Sequence, residues 1–386
     1  MLTRSVFIVS LILISLTAAS QKFDKVKYAK GLNYMAKDSS FKVKFGLRMQ
    51  NLLVVVAPED GPVTSRALVR RFRFKFDGWL LSPKLVYKME LGQSNLDVRK
   101  AGNLLLDAVV KYNATGNLWI WFGQTKLPGN RERVVSSQKL ELVDRSLVNS
   151  RYNIDRDFGI QVRHSFNVGN AVIREMASIS GGEGRNYSVD NAGGYDYTGR
   201  LEFLPFGKFH KKGDYFQGDL YHEPNVKLAI GATVDYNEDA AQSRGQLGSV
   251  LGYNRSLASV MLDMVMKYKG FSIMSEFIRK DTKDPYGKAE KALDNSIASD
   301  ATFVVGNGFN AQMGYVTKSH WGVVGRFTNI TPDTETQLTE HNMYTLGVSR
   351  YLVKHKLKVQ TDASYNTYYG NKANSFIWRF HIELGI

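Results

Sequence analysis

The chain has 386 residues, 43% of them hydrophobic, which is too apolar for a disordered protein. The absence of cysteine excludes a disulfide scaffold, a thiolate metal site, a cysteine nucleophile and an acylated-cysteine lipoprotein anchor. Lys and Arg total 51 against 36 Asp and Glu, a formal charge of +15, and the length allows either a pair of ordinary domains or one large closed sheet.

Met1 to Ser20 reads as a secretory signal. Arg4 precedes an apolar run from Val6 to Leu16, too short to span a bilayer as a helix, and Ala18-Ala19-Ser20 supplies small residues ahead of a cut before Gln21. Residues 21–40 are expected as a periplasmic N-terminal segment and 41–386 as one membrane-spanning unit. No apolar run long enough for a transmembrane helix recurs after Gln21.

From Phe41 onward the period is two. Phe41, Val43, Phe45, Leu47 and Met49 alternate with Lys42, Lys44 and Arg48, giving a strand with one greasy and one charged face. Phe72, Phe74 and Phe76 then alternate with Arg71, Arg73, Lys75 and Asp77. Sixteen such segments follow in order: 41–50, 67–78, 84–92, 105–113, 117–124, 157–166, 171–179, 195–204, 226–236, 256–268, 271–280, 303–317, 321–330, 342–352, 355–365 and 375–386.

Gaps after odd-numbered segments are long (51–66, 125–156, 237–255, 281–302) and most gaps after even-numbered ones are short, the pattern of an outer-membrane barrel with long extracellular loops and short periplasmic turns. The stretch 205–225 is long where a short turn belongs and is expected as an extended periplasmic connection. Lys269-Gly270 predicts a tight hairpin. Loop 125–156 is the longest and most charged, and is expected to fold inward as a constriction loop.

Lipid offers backbone groups no hydrogen-bond partners, so a spanning sheet must close on itself. The predicted fold class is therefore all-β, a transmembrane antiparallel barrel of sixteen strands, wide enough for a water-filled channel. Trp79, Tyr87, Tyr112, Trp119, Trp121, Tyr236, Tyr268, Phe271, Trp321 and Trp378 are assigned to aromatic girdles at the membrane interfaces. The charged face lines the lumen. Lys42, Lys44, Arg48, Arg71, Arg73, Lys75, Lys84 and Lys88 would form a basic wall that concentrates anions, and Arg71, Arg73 and Lys75 have few acids within sequence reach to neutralise them.

Several stretches resemble the phosphate-selective porin O and P family in its Bacteroidetes-type form. They include Lys37 to Gln50, Arg70-Arg-Phe-Arg-Phe-Lys-Phe-Asp-Gly78, Phe122-Gly-Gln-Thr-Lys-Leu-Pro128, Arg131-Glu-Arg-Val-Val-Ser-Ser137, Val143 to Asn149, Arg156-Asp-Phe-Gly-Ile-Gln161 and Gly199 to Lys208. The resemblance covers nearly the whole chain. It implies a usually trimeric outer-membrane channel whose basic lumen and inward loops bind anions, phosphate or polyphosphate among them. Arg70 and Arg71 match the family's Arg-Arg opening of the second strand, and Arg131 and Arg133 its basic constriction-loop run. Gly129-Asn130 stand where the family often has Phe-Ser, which bears on the constriction's shape.

The rival readings are weaker. The seven histidines are scattered, with no H-E-x-x-H and no G-x-S-x-G, so neither an enzyme nor a metal or cofactor site is expected. A nucleic-acid binder would share the basic charge, but the signal and the chainwide alternation oppose it. A non-conducting outer-membrane barrel serving a secretion or surface-assembly complex is the alternative. The expected role is passive diffusion of small anions such as phosphate, by a homotrimer set in outer-membrane lipid.

Overall fold

The computed structural model describes residues 31–94, 96–97, 104–187, 194–286, 302–336, 338–370 and 372–386. The secretory signal and residues 21–30 of the predicted N-terminal segment lie outside these. After the short β1 (Leu32–Met35), the first half of the wall comprises β2 (Phe41–Pro58), β3 (Thr64–Leu80), β4 (Ser82–Gly92), β5 (Leu105–Asn113), β6 (Leu118–Lys126), β7 (Arg156–Val168), β8 (Ala171–Ser180) and β9 (Asp196–Leu204). The second half comprises β10 (Lys227–Gln242), β11 (Val250–Tyr268), β12 (Phe271–Asp281), β13 (Gly306–Val316), β14 (Trp321–Pro332), β15 (His341–Val353), β16 (Leu357–Tyr368) and β17 (Ser375–Gly385).

Each of the sixteen predicted segments falls on one of β2 to β17. All neighbours are antiparallel, β9 pairs with β10, and β17 pairs with β2 from Ser375↔Pro58 to Gly385↔Arg48, so the sheet closes. Below that seam β1 takes over the same edge of β2, from Leu32↔Phe45 to Met35↔Lys42. The outer face carries the apolar residues of the alternation: Leu346 is 62% exposed while its neighbours Thr345 and Gly347 face inward. No helix among the described residues is long and apolar enough to cross a membrane; the strands make the crossing.

Three local departures from the predicted pattern shape the interior. The predicted loop 51–66 is mostly strand, with the β2–β3 ladder reaching Val56↔Thr64. Its run Leu52-Leu-Val-Val-Val56 hides the alternation because inward-facing Leu52 and Val54 are greasy too, packing on Val143 in the middle of the chain.

The β2–β3 register shifts at Gln50↔Arg71 and Asn51↔Val69, leaving Arg70 as the extra residue of a β-bulge. The bulge switches parity, so that Arg66, Leu68 and Arg70 above it and Arg71, Arg73 and Lys75 below it share the inner face.

The stretch 205–225, expected as an extended periplasmic connection, does not stay outside the barrel. A 3₁₀ turn at His210–Tyr215 leads into a buried run, Gly213 to Leu220, that folds up inside the barrel mouth. Phe209 joins Val172, Leu204, Ala229 and Val265, and Leu220 joins Val316 and Tyr351, and this apolar burial drives the insertion.

Candidate functional site

Residues 127–155, within the predicted loop 125–156, run inside the barrel. They form α1 (Arg131–Val134), a 3₁₀ turn at Ser137–Lys139 and α2 (Leu147–Tyr152), whose N-cap Ser146 accepts from Asn149 N at 3.1 Å. With no ladder partner, this backbone is satisfied by inward side chains of the wall. Lys358 Nζ donates to Leu140 O at 2.7 Å, Ser349 Oγ to Glu141 O at 3.0 Å and Arg326 Nη1 to Asp144 O at 2.8 Å; Val143 N donates to Asp362 Oδ2 at 2.9 Å. Glycines on the wall make room: a Cβ at Gly314 would stand 2.4 Å from Glu141 Oε1, and one at Gly347 would stand 2.4 Å from Leu142 Cδ2. The loop thus lies against β9 to β17 and the start of β2, leaving the β3–β7 wall facing it.

Between loop and wall are two cavities. The outer one is about 500 Å³ and the inner one about 290 Å³. Both are lined by Arg71, Arg73, Arg133, Arg145 and Arg156, a shared arginine neck where the two linings meet. Three of these guanidiniums are paired. Arg73 Nη1 lies 3.0 Å from Glu90 Oε1 and its Nε 3.1 Å from Asp97 Oδ2; Arg133 pairs with Asp155; Arg156 Nε lies 3.1 Å from Asp107 Oδ1.

The other two have no carboxylate partner among the described residues. Arg71 Nη1 donates to Gln50 Oε1 at 2.6 Å, while Arg145 donates to the carbonyls of Glu132 and Val135 at 2.8 and 2.7 Å. Burial and the neighbouring Arg133 push the Arg145 pKa down to about 9, which leaves it a cation at neutral pH. At the outer cavity, burial works to raise the Asp144 carboxyl, but Arg70, Arg379 and Arg71 outweigh it and push its pKa down to about 2.

The structure divides the residues expected to line the pore. Arg71, Arg73 and Arg133 reach the neck, and Arg70 the outer cavity, beside Asp144. Lys42 and Lys44 sit towards the other end of β2, opposite Trp79 and Asp77, and Lys75 Nζ lies 2.9 Å from Asp77 Oδ1, so none of these lysines is at the neck.

Two assignments are corrected. Arg131 is fully buried: its Nε lies 2.9 Å from Asp263 Oδ1 and its Nη2 3.0 Å from Glu202 Oε1, anchoring the loop to the wall. Arg48 is buried as well, donating to Glu383 Oε1 at 2.8 Å and to Ser137 Oγ at 2.9 Å. The expected shortage of acids near Arg73 is also corrected, because Glu90 comes across the ladder and Asp97 from the following loop.

Arg145 and Arg156 belong to the neck although sequence reasoning left them in the general charge of loop 125–156. Their signal was that density of arginine, which no periodicity could sort. Trp121, assigned to an interfacial girdle, faces inward in the inner cavity, since Ile120 and Phe122 occupy the outer face. Lys111 Nζ lies 3.6 Å and the Arg163 guanidinium carbon 4.0 Å from its ring centroid, a cation–π pair of contacts.

The sequence profile described as phosphate-selective porin O and P matches residues 43–376. No curated protein matches the sequence. Among solved structures, an anion-selective porin from Comamonas acidovorans is similar at a TM-score of 0.60 and 10% identity, over 90% of this chain and 100% of that one. OprB of Pseudomonas putida is similar at 0.58 and 12% identity, over 89% of this chain and 94% of that one. The trimer form of OmpT of Vibrio cholerae is similar at 0.50 and 12% identity, over 89% of this chain and 99% of that one. At these identities the likeness is one of fold.

Proposed function

Since the chain belongs to the phosphate-selective porin O and P family, whose members are outer-membrane channels, we propose that it passes small anions by passive diffusion, with inorganic phosphate among its solutes. The observation that carries this reading is the neck. Five arginines line both cavities, and among the described residues Arg71 and Arg145 have no carboxylate at ion-pair distance.

A low-dielectric wall around uncancelled positive charge concentrates anions and excludes cations, while several weak stations along the path let the ion leave again. Arginine suits oxyanions in particular, because its planar fork of donors matches a phosphate or carboxylate edge. The inserted loop 127–155 acts as the constriction. The name of one structural neighbour, an anion-selective porin, and the trimeric form of another support the same reading, with three copies side by side in the membrane. Residues 1–20 are the export signal, and the mature chain begins at Gln21.

Two cavities meeting at a shared neck favour conduction over a sealed assembly barrel. The test is reversal potential in a planar bilayer under a salt gradient, first with chloride and then with phosphate. A positive-going charge preference for anions that strengthens with phosphate is the expected result; equal passage of cations overturns the proposal.

A further inference from the structure

The connection between β9 and β10 does more than join two strands. Its buried run meets the inserted loop directly: Gln217 N donates to Lys139 O at 2.9 Å, and Glu141 N donates to Gln217 Oε1 at 2.9 Å. The wall locks this run from the other side. Lys267 Nζ donates to Phe216 O at 2.8 Å and to Gly218 O at 2.6 Å, and His355 Nε2 lies 3.1 Å from Gln217 O. Beyond the clasp, Gly270 N donates to Asp219 Oδ2 at 2.8 Å, tying the run to the β11–β12 turn.

We propose that this connection is a periplasmic buttress: it seals the lumen beneath residues 139–141 and positions the constriction loop, so that solutes cross only at the arginine neck. Two physical points support it. First, the sealed side holds acids and bases together, with Glu141 near Lys267 and Glu202 paired to Arg200, so a water path there would have no preference of sign. Second, Ser136 and Ser137 line the inner cavity immediately before the clasped stretch, so loosening Lys139 and Glu141 loosens the neck. Gln217 is a positioning residue, acting through the loop backbone. The selectivity part rests on the anion-porin reading; the seal does not.

The chain's lack of cysteine makes the test clean. Ser272 is 5% exposed beneath Glu141, whereas Ser136 lines the inner cavity. In the full-length channel, S272C should react with a small charged thiol reagent added on the periplasmic side at least about tenfold more slowly than S136C, because only local opening exposes it. Replacing residues 213–220 by a Gly-Ser linker should bring the two rates together, raise conductance and move the reversal potential towards zero.

If that variant does not assemble, Gln217→Ala, which preserves the length of the insert, should make the same changes in smaller measure. Equal reaction of S272C and S136C in the intact channel overturns the seal. Unchanged reversal potential and unchanged S272C protection in the linker variant, or in Gln217→Ala, overturn the buttress. An intact channel without anion preference but with S272C protected would sink the transport reading and leave the buttress standing.

Discussion

Arg70 and Arg71 are adjacent in sequence and both point into the lumen, one to Asp144 and the other to Gln50. Regular alternation forbids this, and the bulge in β3 permits it. Because Arg70 has Asp144 and Arg71, among the described residues, hydrogen-bonds only a neutral amide, the proposed anion pathway gives the two side chains different roles: Arg70 fastens the loop, and Arg71 supplies field.

Arg71→Gln should therefore reduce the anion-to-cation permeability ratio by about sevenfold, because one charge some ~7 Å from the passing ion in water favours an anion and disfavours a cation by about 0.6 kcal/mol each. Barrel assembly should be intact, as judged by heat-modifiable migration on gels. The deficit should fade in ~1 M salt, where the screening length is about 3 Å. Reversal potentials at low and high salt check both parts.

Arg131→Met should behave differently. Truncating one member of a buried ion-pair cluster costs about 3–5 kcal/mol, and here Arg200 still faces Asp263 and Glu202, so the low end applies. The expected result is a lower unfolding temperature in detergent and noisier open-channel current, with little change in the sign of selectivity.

Gly347→Leu places a side chain where Leu142 now sits, with even its Cβ only 2.4 Å from Leu142 Cδ2. The strand accepts leucine, but the loop has to move. Single-channel recording should show higher conductance and weaker selectivity from a barrel that still assembles.

Acid should loosen the loop through Asp144. Its pKa is about 2 in the fold against about 3.9 in an unfolded chain. The stabilisation is full above about pH 5 and is lost as pH falls through about 2, with a magnitude of about 3 kcal/mol. Unfolding temperatures measured between pH 5 and pH 2 should fall more steeply for the natural chain than for Asp144→Asn.

The barrel was legible because period-two alternation is a property of each strand alone, and lipid outside with water inside enforces it strand by strand. It fails at Leu52 to Val56 because the inner partner there is Val143 rather than water. The site was legible only in part for a related reason. Arg131 and Arg133 look alike in sequence, two residues apart on one short helix. Their fates are set by Glu202 and Asp263, 71 and 132 residues further on from Arg131, and by Asp155 for Arg133. The insertion of 205–225 had a trace in Phe209, Phe216 and Leu220, apolar residues that a solvated turn would not carry.

The edge of β2 is shared between two strands, β17 along Arg48 to Pro58 and β1 along Lys42 to Phe45. Without β1 the lower part of that edge would present bare amides and carbonyls, the template on which stray chains stack. The short strand is therefore a cuff on the cylinder's stitch line, and a protein trimmed past Met35 should clump by strand addition even though every spanning strand is still present.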